Sequence, residues 1–210
     1  MAGRGRRCNA EVMMLGIKQP MPAHDEWLGT DPFYAMIDHI LEFEGKFVDD
    51  PDDPGGATNW GISVRFLRTT TEWRKYDVDG DGDLDAIDMR ALTREQAVDI
   101  YRQIYTSMPW LSRLGMAAFP AFDHAINAGQ RAAVKCVQRA IRAQCGVPLV
   151  DDGVIGPKTR SAIDVCSLQP GVLREARAGW YRVLVLNRPV FAKYERGWLR
   201  RAYFQLSSGY

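Results

Sequence analysis

The stretch EGKFVDDPDDPGGATNWGIS, Glu44 to Ser63, sets one carboxylate at the end of an apolar helix face and follows it with a loop crowded with Asp, Pro and Gly. Upstream, Asp31 is a good N-cap and Pro32 suits the first helical position. Phe33, Met36, Ile37, Ile40 and Leu41 then recur with the period of a buried helical stripe. Glu44 falls four residues after Ile40 and seven after Ile37, so it continues that stripe. Gly45 is suited to a left-handed helix stop. The acid is thus aimed at the apolar interior where the helix opens into a loop. A carboxyl group in such surroundings favours its neutral form and can donate a proton.

The loop itself reads as a fixed turn, because Pro51, Pro54, Gly55 and Gly56 suit neither helix nor strand. Asp49, Asp50, Asp52 and Asp53 crowd like charges together, most of them as a solvated turn. Thr58 and Asn59 offer neutral hydrogen-bonding groups, and Trp60 a flat face on which a sugar can stack. A short hairpin is expected over residues 58–63. A placed acid beside such a loop suits glycoside cleavage, which needs a proton donor and a second polar group in reach.

These residues resemble the signature of glycoside hydrolase family 108, N-acetylmuramidases found as phage endolysins and bacterial secretion activators. Members carry Glu-Gly-Gly, then Asp-Pro-Gly-Gly-Ala-Thr-Asn-aromatic-Gly-Ile. The chain has Glu44-Gly45 and then Asp53 to Ile62 in that pattern, with Lys46 replacing the second glycine. The likeness continues through LTREQAVDIYRQIY (92–105), FDHAINAG (122–129), DGVIGPKT (152–159) and RGWLRR (196–201). DGVIGPKT is similar to the C-terminal peptidoglycan-binding segment paired with this family. The resemblance implies that Glu44 is the catalytic glutamate and that the fold is mainly α, a lysozyme-like helical domain. Phage-type lysozymes of another family use Glu, Asp and Thr in that order over a short loop, and Asp53 and Thr58 follow Glu44 similarly. Asp53 is read as the second carboxylate and Thr58 as a water-positioning or substrate-binding hydroxyl, with Asp50 the alternative to Asp53. Asn59, Trp60, Tyr101 and Asn127 are read as substrate-binding, although the helical spacing of Tyr101 and Tyr105 also fits core packing.

A second site is legible from spacing alone. Asp77 to Asp88 reads DVDGDGDLDAID. Asp77, Asp79 and Asp81 fall at positions one, three and five of an EF-hand-like loop, with Gly82 at the sharp turn of position six. Asp83 offers its carbonyl at position seven, Leu84 an apolar anchor at eight, and Asp85 a contact through water. Asp88 takes position twelve, where the longer glutamate is commoner. The metal expected is calcium. Its role would be structural, because an oxygen cage leaves no open position for activating water. Thr93 and Gln96 form a capping box for the next helix, whose buried face is Ala97, Ile100, Tyr101 and Ile104.

The rest reads helical, over about 121–128, 130–144, 171–186 and 189–204, with no repeat and no convincing strand. Asp123 and His124 fit either substrate contact or hydrogen-bonded helix positions, and Trp110, Trp180 and Trp198 fit the core. The expected organisation is an N-terminal extension 1–30, a catalytic region 31–115 containing the metal loop, and a C-terminal helical peptidoglycan-binding region 116–205 packed with it.

At 210 residues the chain can bury a full core. Its formal net charge of +1 gives no field for nucleic acid. The C-terminal segment is locally basic, with Arg174, Arg177, Arg182, Arg188, Lys193, Arg196, Arg200 and Arg201, either a solvated face or an attraction to an anionic envelope. Four cysteines show no metal spacing and no disulfide framework is required. Cys136 and Cys145 would lie ~13 Å apart on one helix, too far to bridge, and a Cys136–Cys166 pair needs neighbouring segments. The basic start MAGRGRR and short apolar patch 12–17 do not make a signal peptide, and no run is long enough to span a membrane. A monomer is expected, made in a host cytoplasm, released by a holin and acting on the wall in the periplasm.

The favoured reaction is hydrolysis of the β-1,4 bond between N-acetylmuramic acid and N-acetylglucosamine in bacterial peptidoglycan. Two rivals are a non-catalytic, calcium-stabilised wall-binding module and a lytic transglycosylase.

Overall fold

The stripe from Phe33 to Leu41 forms the inner face of α1, Pro32–Glu44, with Phe33, Ile37 and Ile40 completely buried. Gly45 follows at φ +82°, the left-handed stop that a residue without Cβ makes cheaply. The computed structural model describes residues 32–49 and 56–204. The readings of Asp31, Asp50, Asp53 and the extension 1–30 lie outside them. Among the described residues the fold is mainly helical with one short antiparallel hairpin, and the chain divides after Ser107 into two compact units.

In the first unit the chain leaving α1 returns as a small antiparallel patch. Val48 and Thr58 exchange backbone hydrogen bonds at 2.8 Å in each direction. β1, Thr58–Asn59, pairs with β2, Ile62–Ser63, through a turn at Trp60-Gly61. The hairpin runs straight into α2, Val64–Leu67, whose first turn is capped by the Ser63 hydroxyl. The aspartate-rich loop follows, and then α3, Ala86–Ala91, which is N-capped by Asp85. α4, Arg94–Thr106, carries the expected box: Gln96 N donates to Thr93 Oγ1 at 3.2 Å and Thr93 N to Gln96 Oε1 at 2.8 Å. Its face of Ala97, Ile100, Tyr101 and Ile104 is buried, and it packs against α1.

The second unit begins with 3-10 turns, Leu111–Ala117, and then α5, Ala118–Ala128. Gly129 at φ +89° breaks the chain before α6, Gln130–Cys145. α7, Pro157–Val165, is a short helix with Pro at its start. α8, Pro170–Asn187, a 3-10 turn, Pro189–Phe191, and α9, Ala192–Ala202, complete it. α5, α6 and α8 pack on one another, and α9 packs on α8. A disulfide joins Cys145 at the end of α6 to Cys166 just after α7. Closing a loop across a sequence separation of 21 removes chain entropy from the unfolded state worth about 3 kcal/mol. Among the described residues Cys136 is a free, buried thiol, its pKa pushed up to about 12 by burial.

The basic C-terminal segment divides by burial, with Arg174 half-buried. Arg177 and Arg201 point inward and are 1% and 4% exposed, while Arg182, Arg188, Lys193, Arg196 and Arg200 are exposed. Both buried guanidiniums engage Asp123 of α5, Arg177 through Nη2 to Oδ2 at 2.5 Å and Arg201 through Nε to Oδ1 at 2.9 Å. Burial alone would favour the neutral acid, but the two charges outweigh it and hold Asp123 far below the usual carboxylate range. His124 stacks edge-on against Trp180 and Tyr181. Burial, then the Arg177 charge, keeps it neutral with its pKa well below 6.5.

Candidate active site

Glu44 sits on the last turn of α1, half-buried, with its Oε1 shielded from solvent. Its side chain lies directly over the hairpin turn. A methyl group on Gly61 would stand 2.7 Å from Glu44 Cβ and Cγ and 2.7 Å from the Tyr101 hydroxyl. Gly61 also holds φ +77°, so both shape and backbone require glycine there. α1, the hairpin and α4 therefore meet at one point, with the acid lying across the turn.

Three side chains fix that turn. The Tyr101 hydroxyl donates to the Trp60 carbonyl at 2.9 Å. Trp60 is held at φ +52°, which few residues with a side chain adopt, and its indole N–H donates to the Leu92 carbonyl at 3.0 Å. Asn59 Nδ2 donates to the Met89 carbonyl at 2.8 Å and to that of Leu92 at 3.3 Å. The hairpin is thereby pinned to α3 and to the residue preceding α4's cap.

The residues read as substrate-binding thus separate by surroundings. Asn59 and Tyr101 are 6% and 2% exposed, and the hydrogen bonds above use them to hold the backbone of the turn. Trp60 is half-buried. Thr58 is half-buried in β1, with its hydroxyl donating to the Gly56 carbonyl at 3.3 Å. Asn127 belongs to the second unit, where its Oδ1 accepts from the Tyr181 hydroxyl at 2.6 Å. Asp53 and Asp50 lie outside the described residues.

The aspartate-rich loop has the backbone expected of a cation cradle. Carboxylate oxygens of Asp77, Asp79 and Asp81 lie within 4.8 Å of one another. Gly80 N donates to Asp77 Oδ1 at 2.7 Å and Gly82 N to Asp77 Oδ2 at 3.1 Å, which curls the loop around its first acid. Gly82 takes φ +94° at the sharp turn, and Leu84 is completely buried. Asp79 accepts from the Asp81 amide, which lowers its pKa. Desolvation and the nearby charges of Asp81, Asp88 and Asp77 more than offset this and leave it raised. The Asp83 side chain is exposed. Asp88 is 2% exposed and closes the loop, accepting from Val78 N at 2.7 Å and from Asp85 N at 2.8 Å. Its oxygens thus tie the first and last parts of the loop together. Three convergent carboxylates of one sign, a left-handed glycine and a buried anchor fit a hard cation.

In the second unit, DGVIGPKT is organised by a residue that sequence reasoning passed over. Gln138, 1% exposed on α6, donates to Asp152 Oδ1 at 2.8 Å, to the Val154 carbonyl at 3.1 Å and to Thr159 Oγ1 at 3.1 Å, and accepts from Gly153 N at 3.0 Å. A polar residue in register with Val134, Val137 and Ile141 was the available signal. The loop is accordingly a shaped surface.

Residues 37–129 match the model of the family described as glycosyl hydrolase 108, and residues 132–203 that of a predicted peptidoglycan domain. Among solved structures, the chain is similar to that of Brucella abortus SagA, at 29% identity and a TM-score of 0.56, over 81% of this chain and 88% of that one. No curated protein matches.

Proposed function

With a glycosyl hydrolase 108 segment followed by a peptidoglycan-domain segment, the chain has the make-up of a glycoside hydrolase acting on peptidoglycan, and we propose that it is an N-acetylmuramidase with Glu44 as its general acid. The reaction would be hydrolysis of the β-1,4 bond between N-acetylmuramic acid and N-acetylglucosamine. The observation that carries this reading is the side chain of Glu44 lying across the Gly61 turn beside the Tyr101 hydroxyl. A half-buried acid on a rigid support can meet a glycosidic oxygen in fixed geometry.

In this mechanism Glu44 transfers its proton to the bridging oxygen as the C–O bond breaks. Positive charge develops on the muramic acid ring, whose anomeric carbon loses the bridging oxygen, and water supplies the oxygen of its new hydroxyl. Asp53 would steady that charge or direct the water, with Asp50 the alternative, and Thr58 would position the water. The Trp60 ring would stack on a sugar. Asn59 and Tyr101 act one step back, by fixing the turn.

The loop from Asp77 to Asp88 would hold a structural calcium ion through Asp77, Asp79, Asp81, the Asp83 carbonyl and Asp88. Bound there, the ion neutralises the acids and orders the segment leading to α3 and α4, on which the hairpin hangs. The melting temperature should fall in chelator and recover with added calcium. An unchanged melting curve would remove the ion from the account.

Action outside the cytoplasm is part of the same proposal, and the Cys145–Cys166 disulfide supports it, since such bonds persist in oxidising compartments. Mass spectrometry of fragments released from purified peptidoglycan tests the reaction. Muramic acid reducing ends are expected. Anhydro-muramic ends would make the protein a lytic transglycosylase, and wall binding without fragments a wall-binding module.

A further inference from the structure

The junction of α8 and α9 carries side chains that neither unit's fold consumes. Val183 and Leu186 of α8 are 51% and 78% exposed, and Val190 in the connecting turn is 68% exposed. The three exposed aliphatic side chains fall within seven positions of one another, at the end of α8 and in the turn that follows it. Around them the charge is predominantly positive. Between residues 182 and 200 five residues are Arg or Lys and one, Glu195, is acidic. Arg188, Lys193 and Arg196 among them are exposed.

We infer that this tip is a docking surface for an anionic lipid bilayer, with Val183, Leu186 and Val190 entering the acyl boundary while the surrounding cations reach the phosphates. Apolar side chains ringed by long basic ones suit the bilayer interface, because the aliphatic stems stay in apolar contact while the charged heads meet lipid phosphate. A glycan fits less well. Sugars are gripped by flat aromatic faces and hydrogen-bonding groups, and here the aromatic faces are taken. Trp198 stacks on Tyr181 with ring centroids 5.3 Å apart, and the Phe191 and Tyr194 rings pack on Trp198 at 5.9 and 5.6 Å. A second copy of the chain would bring like charges together. No helix among the described residues is long and apolar enough to cross a membrane, so the contact is peripheral.

Sedimentation of the full chain with phosphatidylcholine vesicles, with and without phosphatidylglycerol, tests this. Binding should require phosphatidylglycerol and weaken as salt is raised. Lys193→Gln with Arg196→Gln should weaken it about 25-fold, about fivefold per charge. Leu186→Gln with Val190→Gln should weaken it about tenfold at unchanged charge. All four positions are exposed, and circular dichroism verifies that the variants fold. The inference fails if the wild type ignores anionic vesicles or if either double variant binds them like the wild type. It also fails if the variants lose purified peptidoglycan in place of vesicles, or if light scattering shows that the tip joins two copies.

Discussion

Glu44 in the first unit and Asp123 in the second are both carboxylates on apolar helix faces, and their surroundings give them opposite roles. Asp123 is 1% exposed and both its oxygens accept from guanidiniums, which fixes it as an anion. A group so held donates no proton near neutral pH. Glu44 stands at a helix end, half-buried, over a turn whose glycine leaves room for it. The pattern of apolar residues that surrounds an acid therefore says that it is turned inward. What it does there depends on the partners that the fold brings to it.

The contrast can be broken first at Asp123. Asp123→Asn leaves two buried guanidiniums without a counter-charge and should cost about 3–5 kcal/mol. For a unit of about 100 residues that lowers the melting temperature by more than about 10 °C, read by calorimetry. A loss within about 1 °C would show that the cluster is solvated and the two acids are alike. Gly61→Ala attacks the other side. It forces a methyl group into Glu44 and Tyr101 and should lower peptidoglycan hydrolysis about 100-fold through misplacement of the acid, measured as the rate of fragment release. Unchanged activity would detach Glu44 from its support.

The smallest effect is one of pH. The folded unit keeps His124 neutral while the unfolded chain protonates near pH 6.5, so this group adds nothing to the pH dependence above that value and costs stability as pH falls below it. The loss deepens as pH falls from 7.5 to 5.5. Asp123 acts in the same sense lower down, since its stabilisation is present above the unfolded value near 3.9 and is lost as pH falls towards its depressed folded value. Melting curves at pH 7.5 and 5.5 should separate in the wild type and converge in His124→Gln.

Much of the first unit was legible in sequence because its signals are local. The stripe ending at Glu44, the Gly45 stop, the Thr93–Gln96 box and the hairpin over 58–63 each follow from residues within a few positions of one another. The roles of Asn59 and Tyr101 were not, since they depend on carbonyls 30 to 41 positions away. The same holds in the second unit. Asp123 meets its arginines across 54 and 78 positions, and among eight basic residues in that segment nothing local distinguishes Arg177 and Arg201. The Cys145–Cys166 pair likewise needed the fold that brings α6 beside α7. Short helices α3 and α7 escaped a reading built on long periodic runs.

The claim that Glu44 supplies the proton is tested most directly by changing how much the leaving group needs one. Glu44→Gln should lose about 1,000-fold on peptidoglycan, within the range of general-acid contributions, with its melting temperature intact. On a disaccharide of the wall repeat bearing a dinitrophenyl leaving group, which departs without protonation, the same variant should retain most of the wild-type rate of bond cleavage. Equal losses on both substrates, or none on peptidoglycan, would contradict the account.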